Sequence, residues 1–288
     1  MQNISNKYIL KYGLIAVVLI FIISLIVFMQ FSLDDAVFLK HYYDLEINYN
    51  TYMNIHVITN SNDTRRINEI EFPQMPDDFV FTDMFNIINS YYITEKFAHY
   101  NYNILSLELP PINLNQNDNK EEIVILDKAI VKFNNGDEQE VNIGKIVLHK
   151  NSKHTGSLKL TSTSSSNDYT STTEFISNDN FFINSISSNL EEEIKDIFKL
   201  SLDGKDTNQL NYPIHIKPDK ILTFNSQFNF DSQDMRKYNV YKIQKRISLI
   251  DSEGNQESRR ILNLDYQPDD MFLKEKDIIK YLKEIGVK

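Results

Sequence analysis

The chain has 288 residues, 41% of them hydrophobic and 12% aromatic, with 16 Tyr, 18 Phe and no Trp. Its formal charge is −10, which repels polyanions and argues against nucleic acid as a partner. It has no cysteine, so disulfides, thiolate metal sites and cysteine nucleophiles are excluded.

The first element is the uncharged run Gly13–Met29, GLIAVVLIFIISLIVFM, in which Ser24 carries the one hydroxyl. A helix of this length rises to roughly 26 Å, close to the ~30 Å hydrocarbon core of a bilayer. Tyr8, Ile9, Leu10, Lys11 and Tyr12 extend it. The tyrosines suit the headgroup zone, and Lys11 can place its ammonium at the interface. Residues 12–30 are therefore expected to be a transmembrane signal anchor in contact with membrane lipid. Lys7 and Lys11 precede the run without an acid, whereas Asp34 and Asp35 follow it. That asymmetry predicts a cytoplasmic tail at residues 1–11 and an extracytoplasmic remainder. A cleaved signal peptide would need a shorter apolar run and a small-x-small site, and Ser32 and Ala36 are too isolated to supply one. A buried globular helix is the other alternative, but nothing else in the chain is apolar enough to surround it.

After the anchor, Ile47, Tyr49, Thr51, Met53, Ile55, Val57 and Thr59 occupy alternate positions, the period of a half-buried strand. Asn60-Ser61-Asn62-Asp63 reads as a turn, and Arg66–Phe72 as a strand ended by Pro73. Thr82–Ser90 has the spacing of a short helix. Tyr91–Leu109 reads as strand, stopped by Pro110, and residues 113–121 as a polar loop. Ala129–Leu148 is the sharpest local signal. Two alternating runs flank Asn134-Asn135-Gly136-Asp137, and Asn-Gly supplies the positive φ angles of a tight hairpin.

Residues 150–156 read as a linker, and the Ser/Thr-rich stretch beyond as two strands around Ser165–Asp168. Ser188-Asn189-Leu190-Glu191 has the form of a capping box, predicting a helix to Leu200. Strands follow at Leu222–Phe230, Tyr238–Ile250 and Ile261–Tyr266, with Glu253-Gly254 turning between the last two. Lys274–Ile285 closes the chain as a helix whose stripe is Ile278, Leu282 and Ile285, with Gly286 as its cap.

Short motifs recur. Ile58-Thr59-Asn60 matches Ile176-Ser177-Asn178, Ile67-Asn68 matches Ile183-Asn184, and Gly136 matches Gly254, at offsets of 118, 116 and 118. The expected fold is mainly β: the transmembrane helix, then two tandem immunoglobulin-like β-sandwich domains at 31–150 and 151–288, the second with a short C-terminal helix. One larger sandwich is the alternative.

Chemistry is sparse. His41, His56, His99, His149, His154 and His215 form no metal-binding spacing. No phosphate loop, nucleotide fingerprint or nucleophile elbow occurs. No catalytic residue, cofactor or metal site is assigned. Asp77-Asp78 and Asp269-Asp270 read as solvated turns, Lys237–Arg246 as a solvated basic face. The oxygen-rich turns Asn60–Asp63, Asn117–Asn119 and Asn178–Asn180 lack a calcium-loop pattern. Tyr91-Tyr92 and Phe181-Phe182 are candidate binding aromatics if exposed. These features imply a non-enzymatic binding or interaction module of a bacterial cell envelope, with an envelope protein as its candidate partner. An accessory subunit of a transporter or secretion complex and a carboxylate-dependent hydrolase are the alternatives.

Overall fold

A computed structural model describes residues 2–47, 51–75, 80–82, 92–109, 123–150, 156–268, 272 and 274–288. Helix α1 runs over Gln2–Phe31. Its segment Leu10–Phe31 has a mean hydropathy of 3.0, and its described side chains are exposed up to Phe31, which is partly buried against the β body. At 1.5 Å per residue it is about 33 Å long, enough to cross a membrane.

The remainder is mainly β, built of strands in several sheets. In the first half these are β1 (Val37–Phe38), β2 (His41–Ile47), β3 (Thr51–Asn60), β4 (Ile67–Glu71), β5 (Val80–Thr82), β6 (Tyr92–Lys96), β7 (Tyr100–Leu109), β8 (Ile123–Phe133) and β9 (Glu138–Lys150). The second half holds β10 (Leu158–Ser165), β11 (Thr170–Ser177), β12 (Phe181–Ser187), β13 (Phe198–Leu202), β14 (Lys205–Asp206), β15 (Ile214–Ile216), β16 (Ile221–Phe228), β17 (Val240–Asp251) and β18 (Gln256–Tyr266). The helices α2 (Glu191–Ile194) and α3 (Glu275–Glu284) complete it.

The strands form three sheets. A four-stranded sheet has the order β1-β3-β7-β6, and a five-stranded sheet the order β10-β11-β16-β13-β14. A nine-stranded sheet, β15-β12-β17-β2-β9-β8-β4-β5 with β18 on β17, runs behind both. Two cores result. One lies between the four-stranded sheet and β2, β4, β8 and β9. The other lies between the five-stranded sheet and β12, β17 and β18.

The pairings recur in chain order. The run β1-β3-β7-β6 has the connectivity of β10-β11-β16-β13, and β4-β8-β9 that of β12-β17-β18. The short sequence matches fall on equivalent places: the ends of β3 and β11, the starts of β4 and β12, and the two hairpin turns.

Strand β2 joins the halves. It pairs in parallel with β17 through His41–Tyr43 and with β9 along its whole length. His41 lies opposite Gly144, whose φ is +100°. A Cβ there would come 2.7 Å from the backbone nitrogen of His41 and closer still to its carbonyl oxygen, so only glycine admits β2 at this point.

Several expectations change. The helix predicted from Ser188 ends at Ile194, and Phe198–Leu202 is a strand paired with β16. Leu190, Ile194 and Ile197 are still buried, but as one turn and its exit rather than a helix face. The strand material read over Tyr91–Leu109 is, in its described part, the hairpin β6–β7. Lys245 and Arg246 are buried, because both faces of β17 are covered. Helix α3 buries Ile278 and Leu282 in the first core, while Ile285 is exposed. The helix predicted at Thr82–Ser90 and the loop at 113–121 lie outside the described residues, apart from Thr82 at the end of β5; so does the linker at 150–156, apart from Lys150 and Gly156.

Candidate functional site

Three places carry polar chemistry. The first is a buried ionic seam on β2. Residues two apart on a strand face the same way, so Asp44 and Glu46 share one face. His149 of β9 places Nε2 2.7 Å from Asp44 Oδ1, and Arg246 of β17 contacts the same imidazole. Asp44 and His149 have relative exposures of 0% and 1%. Burial pushes the Asp44 carboxyl up, but the His149 hydrogen bond, the charges of His149 and Arg246 and the Asn189 backbone N–H outweigh it. The net position is below the usual carboxylate range. Glu46 pairs with Arg260 of β18 at 3.3 Å, and Lys245 with Glu191. Burial lowers the Lys245 ammonium, with Glu191 and Asp44 opposing.

Ser, His and Asp do meet here, but in the wrong order for nucleophilic catalysis. Ser188 Oγ lies 3.3 Å from Asp44 Oδ2, so the carboxylate stands between hydroxyl and imidazole. A triad needs the imidazole in the middle. The seam is wired to join four strands, β2, β9, β17 and β18.

The second place is the exit of α1. Leu33 is buried two residues after the helix ends. Leu33 N donates to Asn60 Oδ1 and Asn60 Nδ2 to Leu33 O, both at 2.8 Å. The Phe31 ring lies 4.6 Å from that of His99. The His99 backbone N–H donates to Glu275 Oε1 at 2.6 Å, and its Nδ1 lies 3.0 Å from the same oxygen. Lys288 Nζ donates to the Ser32 carbonyl. Both ends of the α3 region are thus tied to the helix exit.

The third is a cleft of about 390 Å³ at the open edge of the second core. Leu202, Leu210, Ile214, Ile216 and Leu222 form its floor. Lys205, Lys217, Lys220 and His215 stand on its rim, with Asp203 bound to Lys220 at 3.1 Å. Phe182, exposed on β12, packs its ring 4.9 Å from that of His215. Apolar floors with few polar groups are the usual form of small-molecule sites.

The remaining candidates fall elsewhere. His41 and His56 are buried between the sheets, with His56 N donating to His41 Nε2 at 2.9 Å. Phe181 is core. In the turn Asn60–Asp63, Asn60 serves Leu33 and Asp63 binds Arg65 at 2.9 Å. Asn178 donates to Gly156 O. His154, Tyr91 and the pairs Asp77-Asp78 and Asp269-Asp270 lie outside the described residues, as does Asn117–Asn119. Among the described residues no group of three His, Asp or Glu is placed to hold a metal ion.

Sequence reasoning missed the seam and the cleft. Asp44 and Glu46 two apart in a β-favouring run were its one local signal. The cleft comes from strands brought together across the fold. No protein-family model and no curated protein matches the chain.

Proposed function

We propose that this chain is a membrane-anchored, non-enzymatic binding module of a bacterial cell envelope. Helix α1 crosses the bilayer with its N-terminus in the cytoplasm, and the β body lies outside. We read that body as two tandem immunoglobulin-like sandwiches joined through β2. The repeated strand order supports this, and so does the recurrence of short motifs at equivalent turns.

The observation that carries binding is the lysine-rimmed cleft. Its apolar floor and three lysines, on a chain of charge −10, fit an anion with an apolar body. The test is saturation-transfer NMR with octanoate as probe and the full chain in lipid nanodiscs. Signal on the octanoate chain that falls severalfold in the Lys217→Glu, Lys220→Glu double variant supports the reading. Equal signal in both, or none in either, overturns it.

A second reading is an accessory subunit of a membrane complex. The exposure of α1 favours it, since the described side chains from Leu10 to Gln30 pack on nothing in the chain. Crosslinking from intact membranes, with Gly13–Met29 replaced by an unrelated apolar helix, separates the two. A partner captured with the native helix alone supports the subunit reading. A partner that survives the exchange is bound by the β body.

A further inference from the structure

We propose that the end of α3 is a second membrane contact, with Ile285 and Val287 seated in the headgroup layer beside the exit of α1. This rests on the reading that α1 spans the bilayer. The apolar stretch of α1 ends at Phe31, so Ser32 stands at the boundary of the hydrocarbon. Lys288 donates to the Ser32 carbonyl, which holds Lys288 at the same depth. The Glu275–His99–Phe31 contacts hold the other end of α3 to the same exit. The headgroup layer is about 5–7 Å thick on each side, so a segment bonded to residue 32 lies within it.

The chemistry of the segment fits that layer. Ile285 and Val287 are 41% and 44% exposed, although an aliphatic pair on a wet surface gains nothing. Their positions are held by the backbone. Gly286 turns at φ +76°, and Val287 N and Lys288 N both donate to Leu282 O, at 3.0 and 3.2 Å. Lys280, Lys283 and Lys288 are exposed around them. Aliphatic side chains flanked by lysines are the composition of interfacial segments, with stems along the acyl boundary and ammonium groups among phosphates. Glu284 lies 3.8 Å from Lys280, and the exposed Asp34 and Asp35 follow Ser32, so the attraction comes from aliphatic burial more than from net charge. This also accounts for the stripe of α3. Ile278 and Leu282 face the protein core, and the third member, Ile285, faces lipid.

The chain has no Trp, so a single introduced indole reports its own surroundings. Three variants of the full chain, Val287→Trp, Ile20→Trp and Phe182→Trp, are reconstituted in phosphatidylcholine–phosphatidylglycerol vesicles whose acyl chains carry bromine near the headgroup in one set, to report on V287W, and near the chain terminus in another, to report on I20W at the bilayer centre. V287W is expected to emit at shorter wavelength than F182W and to lose most of its emission to bromine, as I20W does. F182W keeps its emission. If I20W is quenched and V287W behaves like F182W, the contact at α3 is overturned while the spanning helix stands. If I20W is also unquenched, the spanning reading fails and takes the contact with it. Ile285→Trp repeats the test two residues away and must agree with V287W.

Discussion

Asn60 and Leu33 exchange two hydrogen bonds, each of 2.8 Å, between the side-chain amide at the end of β3 and the backbone just beyond α1. Helix α1 therefore enters the β body without a linker. Leu33 and Ala36 are already core, and the Asn60 amide pairs both the N–H and the C=O of Leu33, which lies beyond the hydrogen-bond ladder of α1.

Asn60→Ala removes both bonds. At about 0.5–1.5 kcal/mol each, the expected loss is about 1–3 kcal/mol of stability. Chemical unfolding of the full chain in nanodiscs reads it. Asn60→Asp keeps the acceptor and loses the donor, so its loss should fall between wild type and Ala. Equal stability in all three would mean that the pair does not hold the junction.

Asp44→Ala leaves His149 and Arg246 buried without their carboxylate. Breaking a buried pair from one side costs about 3–5 kcal/mol. Asp44→Asn keeps the volume and part of the hydrogen bonding, and should cost less. The exposed Lys128–Glu140 pair, at 2.8 Å, is the control, and Glu140→Ala should leave the unfolding midpoint unmoved. The pH dependence has a definite sign. Asp44 sits below its ordinary value when folded, so its contribution is present above that value and is lost as pH falls through the folded one.

His41 titrates in the opposite sense to a paired histidine. Burial lowers it from 6.5 to about 3, and its Nε2 accepts the His56 N–H only while unprotonated. His56 is lowered well below its usual range, by burial first and by His41 second. The unfolded chain takes up these protons and the folded chain refuses them. Stability is thus complete above pH 6.5 and falls on acidification toward about pH 3. The slope approaches about 1.4 kcal/mol per pH unit for each histidine. Denaturant unfolding between pH 7 and pH 4 should show it, and His41→Gln should reduce it. A flat profile would contradict the assignment.

Gly144→Ala puts a methyl group against the His41 backbone at a left-handed φ. We expect a loss of at least about 2 kcal/mol, confined to the β2–β9 pairing. Hydrogen exchange should show β2 amides opening while β11 and β16 stay protected. Gly136→Ala, with open space around its Cβ and the same handedness, should cost less.

Local signals in the sequence located most strands. The Asn-Gly turn at Gly136 joins β8 to β9, and the turn before Gly254 joins β17 to β18. Helix α1 and helix α3 follow directly from apolar run and apolar stripe. Strand β2 was hidden, because both of its faces are buried and both carry polar groups: His41 on the face of Tyr43 and Leu45, Asp44 and Glu46 on the other. Asp44 and Glu46 make sense only with His149, Arg246 and Arg260, which lie more than 100 positions away for Asp44–His149 and more than 200 for Glu46–Arg260. Period and propensity are local, and parallel pairing across the chain is not. Lys245 and Arg246 misled for the same reason, since a charged run looks solvated until a second sheet covers it. The capping box at Ser188 was real in part. Ser188 N donates to Glu191 Oε1, yet the helix it opens lasts one turn because Phe198–Leu202 gains more by pairing with β16.

The most direct test of the account is the side of the membrane on which the β body lies. The chain has no cysteine, so a single introduced thiol reports its compartment without background. Ser162→Cys on the exposed edge of β10 and Asn3→Cys ahead of the apolar run are expressed separately in bacterial cells and treated with a membrane-impermeant maleimide. We expect Ser162→Cys to label in intact cells and Asn3→Cys to label after lysis alone. Labelling of Ser162→Cys that requires lysis would place the β body in the cytoplasm and contradict the account.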